Sequence, residues 1–162
     1  MAYQKTQGRE AHNVIASDDA NIPYTRLRIE GTSGIAGVNK LSISSGSLII
    51  QGVQIGDIVY NNDANTAATV IDVTSATDCT LNANIFPSAS TSYSIYAASP
   101  GEGQDANNGC VLYVGKSGNL SVNVVGGVSP VIFNAVPVGF FPMQVIKINK
   151  TATDADSFVA IW

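Results

Sequence analysis

The last third of this chain, residues 108–162, most constrains its fold, because it is a series of short apolar runs broken by turn residues with almost no charge. Cys110-Val-Leu-Tyr-Val-Gly115 meets a Lys-Ser-Gly turn, and Asn119-Leu-Ser-Val-Asn-Val-Val125 meets Gly126-Gly127. Val131-Ile-Phe-Asn-Ala-Val136 meets Pro137, Phe140 to Ile148 runs on, and Ser157 to Trp162 closes the chain. Val, Ile, Phe and Tyr fit a pleated surface, and Gly, Asn and Pro supply the reversals, so the pattern predicts strands. Such strands must pair with one another or with a neighbouring subunit. A β assembly unit is therefore expected rather than a catalyst.

No helical period appears over any useful window of the rest. Residues 1–12 are polar and are expected to form a flexible arm, with His12 to Ala16 a first short strand. Ser17-Asp18-Asp19-Ala20-Asn21 is turn chemistry, since short polar side chains bond their own backbone. Tyr24-Thr-Arg-Leu-Arg-Ile-Glu30 alternates, with Tyr24, Arg26, Arg28 and Glu30 on one face and Thr25, Leu27 and Ile29 on the other. After the glycine-rich joint from Gly31 to Gly37 come further short strands: Leu41–Ile43, Leu48–Ile50, Gly56–Tyr60, Ala68–Thr74, Asp78–Asn82 and Ser92–Tyr96. Turns every 8–12 residues or so mark a small barrel or sandwich. The polar stretch from Ser99 to Gly109 reads as a linker. The expected organisation is all-β: a compact β-sandwich or barrel formed by both chain ends, residues 13–35 plus 101–162. A small β-barrel-like domain, residues 36–100, is inserted into it. A simple two-domain tandem is the rival arrangement.

Charge supports the division. The chain is 162 residues long, 45% hydrophobic and only 12% charged, which is about half the usual charged share. So little charge favours an oligomer or a component of a larger assembly. From Leu41 to Gly115 there is no Lys or Arg against six acids, whereas the remainder carries all eight bases against six acids. No basic run is interleaved with aromatics, so nucleic acid is not an expected partner. No stretch reaches the roughly 18 apolar residues of a membrane helix, and the first ten residues lack the apolar core of a secretory leader. Production in a cytoplasm is expected.

Catalytic patterns are sparse. His12, the single histidine, would have to serve any Ser-His-Asp or Cys-His relay, and it lies beside the polar arm. There is no CxxC, HExxH or HxH for zinc. Asp18-Asp19 are adjacent and suit turn capping better than shared-proton chemistry. Asn61-Asn-Asp-Ala-Asn-Thr66 is oxygen-rich but lacks the spacing of a calcium loop, which leaves a hairpin turn as the main reading. Asn119-Leu-Ser121 and Asn149-Lys-Thr151 match a glycosylation sequon by chance. Cys79 and Cys110 lie in apolar strand patterns as buried free thiols, with a disulfide the alternative. No metal or other cofactor is expected. In Val136–Val145, Pro137 and Pro142 cannot donate ladder bonds, so this piece is an edge or a corner. Phe140, Phe141 and Met143 there either form a subunit contact or fill the corner. Trp162 is either a core plug or an interface anchor.

Ile15-Ala-Ser-Asp-Asp-Ala-Asn-Ile-Pro23 resembles the Val-x-Pro-Ser-Asp-x-x-Asp-Leu-Pro opening of small tailed-phage virion proteins of the head-spike base and capsid decoration type. Cys110–Gly115, Gly118–Val122, Val136–Gly139, Val145–Thr153 and Phe158–Trp162 resemble the later strands of that group. Where the group usually has Thr-Gly-Thr-Thr-Ala before the closing strand, this chain has Asn149-Lys-Thr-Ala-Thr153. Gly56–Tyr60, Ala68–Val73 and Thr80-Leu81 look like small β modules of phage structural proteins. The resemblance implies a virion structural protein that decorates or cements the capsid exterior, or forms a spike base. It implies the major capsid protein as partner, a symmetric oligomer, a trimer at local threefold positions, and no catalytic residues. On that reading Lys5, Arg9, Arg26 and Arg28 meet an acidic capsid surface, and Phe140, Phe141, Met143 and Trp162 serve the subunit interface. The acidic insertion projects outward. The second reading is a tail or spike module that recognises a host glycan through Tyr60, Tyr93, Tyr96 and Trp162.

Overall fold

Turn chemistry fixes where this chain reverses, and apolar alternation fixes which face each strand buries. The computed structural model describes residues 10–35, 37–98 and 109–162. Its strands are β1 (Ala11–Val14), β2 (Leu27–Thr32), β3 (Lys40–Ser42), β4 (Ile58–Asn61), β5 (Thr66–Val73), β6 (Asp78–Leu81) and β7 (Ser92–Tyr96), then β8 (Cys110–Lys116), β9 (Gly118–Val124), β10 (Val131–Val136), β11 (Gly139–Asn149) and β12 (Asp156–Ile161). The fold is all-β, with no helix among the described residues. A terminal sheet has the order β1-β12-β8-β11-β9-β10 and a central sheet the order β2-β7-β4-β5-β6-β3. All pairings are antiparallel, and neither sheet closes into a barrel.

Each sheet bends over on itself at one long strand that changes partner. The first part of β11 pairs with β8, from Gly139 opposite Val114 to Val145 opposite Cys110, with the register shifting across Pro142 and Met143. From Val145 onward β11 turns to β9, from Val145 opposite Val124 to Asn149 opposite Ser121. Pro142 has no N–H to give, so the bulge costs no ladder bond there. Pro142 therefore marks a corner inside the sheet, whereas Pro137 lies in the connection between β10 and β11. In the central sheet β5 does the same, pairing with β4 over Thr66–Thr69 and with β6 from Val70 onward. An isolated bridge from Ser33 to Ile43 then brings the two edges of that sheet together.

The bend lets one sheet bury its own core. Val14 of β1 and Val136 of β10, at opposite edges, share a cluster with Leu112, Val114, Leu120, Val122, Phe158 and Ala160. A separate cluster fills the central sheet, including Leu41, Val59, Val70, Leu81, Phe86, Tyr93 and Ile95. Each such side chain contributes about 1.5–3 kcal/mol by leaving water. Cys110 lies in the first core and Cys79 in the second, both as free thiols. Burial pushes each up to about 12. The Asn61–Thr66 segment is the β4–β5 hairpin turn: the Asn61 carboxamide oxygen accepts from the Asp63 and Ala64 amides at 3.1 and 2.9 Å.

Three expectations are corrected. Ala11 and His12 belong to β1, not to an arm ending at residue 12; residues 1–9 lie outside the described residues. Leu27–Thr32 pairs with β7, so the central sheet takes in β2 and the break in pairing falls before Leu27 rather than after residue 35. Pairing across the chain decides this, and local pattern carries no trace of it. Leu48–Ile50 is a turn and not a strand: Leu48 is fully buried, while Ile49 and Ile50 are exposed and the Gln51 amide bonds back to the Ser47 carbonyl. The predicted linker from Ser99 lies outside the described residues up to position 108.

Candidate functional site

The two sheets are held together by the segment that carries the sequence resemblance. The Ser17 amide donates to the Ile148 carbonyl of β11 at 2.9 Å, and its hydroxyl donates to the Ala67 carbonyl of β5 at 2.7 Å. The Asp18 carboxylate reaches the terminal sheet, accepting from the amide and hydroxyl of Thr151 at 3.1 and 2.7 Å. The next residue reaches the other way: the Asp19 carbonyl accepts from the Thr69 hydroxyl at 2.9 Å and from the Asn82 amide at 2.6 Å. Partial burial works against the charge of Asp18, but the Thr151 bonds and nearby Lys147 outweigh it and hold the carboxyl below its ordinary value. The adjacent aspartates are thus a clasp, facing opposite sheets. Ile22 then bonds to Ile146 and Tyr24 to Ala97 through the backbone.

Beside the clasp lies an open cleft of about 1070 Å³. One wall is β1 with parts of β8 and β12, and the other comes from the β4–β5 turn and Tyr96. His12, Tyr60 and Tyr96 form a ring cluster, with centroids 4.4 Å apart for His12–Tyr96 and 5.3 Å for Tyr60–Tyr96. Burial lowers the His12 pKa, and its Nε2 has no hydrogen-bond partner among the described residues. Burial likewise raises the Tyr60 hydroxyl far above its usual range. That hydroxyl faces the Ile15 backbone but makes no hydrogen bond of normal geometry. Asn13, Asn62, Asn65, Tyr113, Asp156 and Ser157 complete the polar lining. These residues come from five separate parts of the chain, so no local sequence signal marks the cleft.

A second feature is an apolar, uncharged corner. From Ser117 to Ile146 there is no charged residue. That stretch forms β9, β10 and most of β11, and β10 is one edge of its sheet, with no further strand beside it among the described residues. Natural edge strands are normally shielded by charge, above all Lys; β10 has none. Val125, Val128, Val131, Ile132, Val138, Phe140 and Met143 are exposed here, Phe140 at 71% and Ile132 at 53%. The Ala135 backbone adopts φ 52°, where the β9–β10 register shifts.

The predicted interface residues divide. Phe140 and Met143 project outward at the corner. Phe141 is 6% exposed and packs edge-on against Phe133 at 4.8 Å, so it fills the core. Trp162 is half-buried and stacks on Tyr24 at 5.4 Å. The predicted cations divide too. Arg26 is exposed, and Lys5 and Arg9 lie outside the described residues. Arg28 is corrected: it bonds the fully buried Asp57 carboxylate at 3.1 Å, with its own side chain 6% exposed. A bulge between Leu27 and Ile29 breaks the alternation that would have turned Arg28 outward with Arg26. For the stacking residues of the glycan reading, Tyr60 and Tyr93 are buried, and only Tyr96 and Trp162 keep partial exposure. Sequence reasoning also missed a second apolar surface on the loops of the central sheet, where Ile35, Val38 and Ile50 are each 82% exposed.

Compared with known protein families, curated proteins and solved structures, the chain matches none.

Proposed function

We propose that this chain is a structural protein of a phage virion, decorating or cementing the capsid exterior as a homo-oligomer, with a trimer the preferred state. The observation that carries the reading is the uncharged edge strand β10 with the exposed apolar corner around Phe140. A free, uncharged edge invites pairing with another chain unless a partner covers it, and apolar surface of this kind belongs at contacts. The resemblance of Ile15–Pro23 to phage virion proteins adds support, and that segment forms the clasp that joins the two sheets. The role is architectural rather than catalytic. The oligomer offers its cations, Lys5, Arg9 and Arg26, to an acidic face of the major capsid protein, and electrostatic complementarity speeds and orients that docking.

The test is co-sedimentation of the purified protein with mature capsids that lack their decoration protein. Saturable binding at a fixed copy number per capsid is expected, weakened by joint Lys5→Glu and Arg9→Glu exchange. Absence of binding to capsids would overturn the reading.

A further inference from the structure

We propose that the cleft beside β1 is a binding site for a short neutral oligosaccharide. This proposal is independent of the capsid reading. A volume of about 1070 Å³ is at the upper end of ordinary ligand sites, about 300–1,000 Å³, and the cleft is open, which suits an extended ligand of a few rings. Among the described residues its lining contains no Lys or Arg and one carboxylate, Asp156. A phosphate, a nucleic acid or an acidic glycan would find no counter-charge among them. What the lining does offer is the side-chain amides of Asn13 and Asn65, the carboxamide oxygen of Asn62, whose nitrogen is taken by Ser92 and Ser94, and the Ser157 hydroxyl, all on exposed residues. Amides and hydroxyls both donate and accept, which matches sugar hydroxyls, since these do the same. Tyr96 and Tyr113 add ring surface for the apolar C–H face of a pyranose.

One further observation fits a binding site: the cleft wall is held in an uncommon geometry. Ser157 has φ 59°, and a Cβ on Gly115 would come within 2.8 Å of the Ser157 Cβ and carbonyl oxygen. Residues in such sparsely populated conformations cluster at binding sites.

The experiment titrates the full chain, isotope-labelled for amide spectra, with neutral pentasaccharides of the cello-, malto-, chito- and manno- series. A heparin hexasaccharide and an uncharged extended hexapeptide serve as contrasts. Saturable binding of at least one neutral sugar is expected, with shifts confined to the surroundings of Asn13, Asn62, Tyr96, Tyr113 and Ser157. Replacing half-buried Tyr96 risks the fold, so the test variant is Tyr113→Ser, with its fold checked by circular dichroism. It is expected to weaken binding about tenfold, the loss of a ring contact worth about 1.4 kcal/mol. Met143→Ser, on the apolar corner, leaves binding unchanged. Failure of all four neutral sugars, shifts elsewhere on the molecule, unchanged affinity in Tyr113→Ser, or preference for heparin or the peptide would each overturn the proposal.

Discussion

Asp57 is a fully buried carboxylate, and three donors make its burial tolerable. The Arg28 guanidinium and the Gln54 amide bond one oxygen at 3.1 Å each, and the Ala98 amide bonds the other at 3.1 Å, so one of the donors supplies a full compensating charge. Removing that charge leaves Asp57 buried and unpaired. Arg28→Ala is expected to cost about 3–5 kcal/mol in urea unfolding, whereas replacing both residues with apolar ones of similar volume recovers much of the loss. A cost below about 1 kcal/mol would mean the pair is solvated. His12 supplies a second residue-scale test. Its pKa is lowered from 6.5 by burial, so folding favours the neutral ring. Its contribution is fully present above the unfolded value and is lost as pH falls from 6.5 through the folded value. It is the single histidine, so the urea midpoint should drop between pH 7 and pH 5 in the wild type and much less in His12→Phe. Equal slopes would remove His12 as the cause. Asp78 acts lower on the scale: bonds from Ser42, Lys40 and Ser75 hold its carboxyl down to about 2, so its contribution is present above about pH 4 and fades as pH falls toward 2.

At the scale of elements, the corner of the terminal sheet separates neighbours with opposite roles. Phe141 faces the core and Phe140 faces out. Phe141→Ala is expected to destabilise the fold by about 3–5 kcal/mol, and Phe140→Ser to leave the stability of the isolated chain within about 0.5 kcal/mol while loosening self-association. The converse pattern, read from urea unfolding and sedimentation, would invert the assignment of the two faces. The strands and turns of the last third were legible because Gly126-Gly127, Pro137 and the Val-rich runs each speak locally. The Asn61 turn and the buried thiols were legible for the same reason. What the sequence hid was relational. The bulge that swings Arg28 inward and the pairing of β2 with β7 depend on partners distant in the chain. So does the cleft, gathered from β1, the β4–β5 turn, β7, β8 and β12. Leu48-Ile-Ile50 misled because three apolar residues look like a strand whether or not a neighbour is there to pair with them.

At the scale of the whole molecule, two self-contained cores are joined by a short polar clasp, by a small apolar contact that seats Ile15 and Ala20 on Ile58, Tyr60 and Ala67, and by the rings of His12, Tyr60 and Tyr96. Asp18→Ala removes the bonds to Thr151, each worth about 1 kcal/mol or somewhat more because the acceptor is charged. Calorimetry should then resolve two unfolding transitions where the wild type shows one; a single unshifted transition would show that the sheets stay coupled without the Asp18 carboxylate. Assembly turns on the uncharged edge of β10 and its apolar corner, and the solution mass of the wild type and of Ile132→Lys by light scattering tests this. A discrete multiple of 16.8 kDa, three being the preferred value, is expected for the wild type and a folded monomer for Ile132→Lys, whose charge shields the edge. A wild type that is monomeric at all concentrations, or an Ile132→Lys protein that keeps the wild-type mass, would contradict this role of the edge.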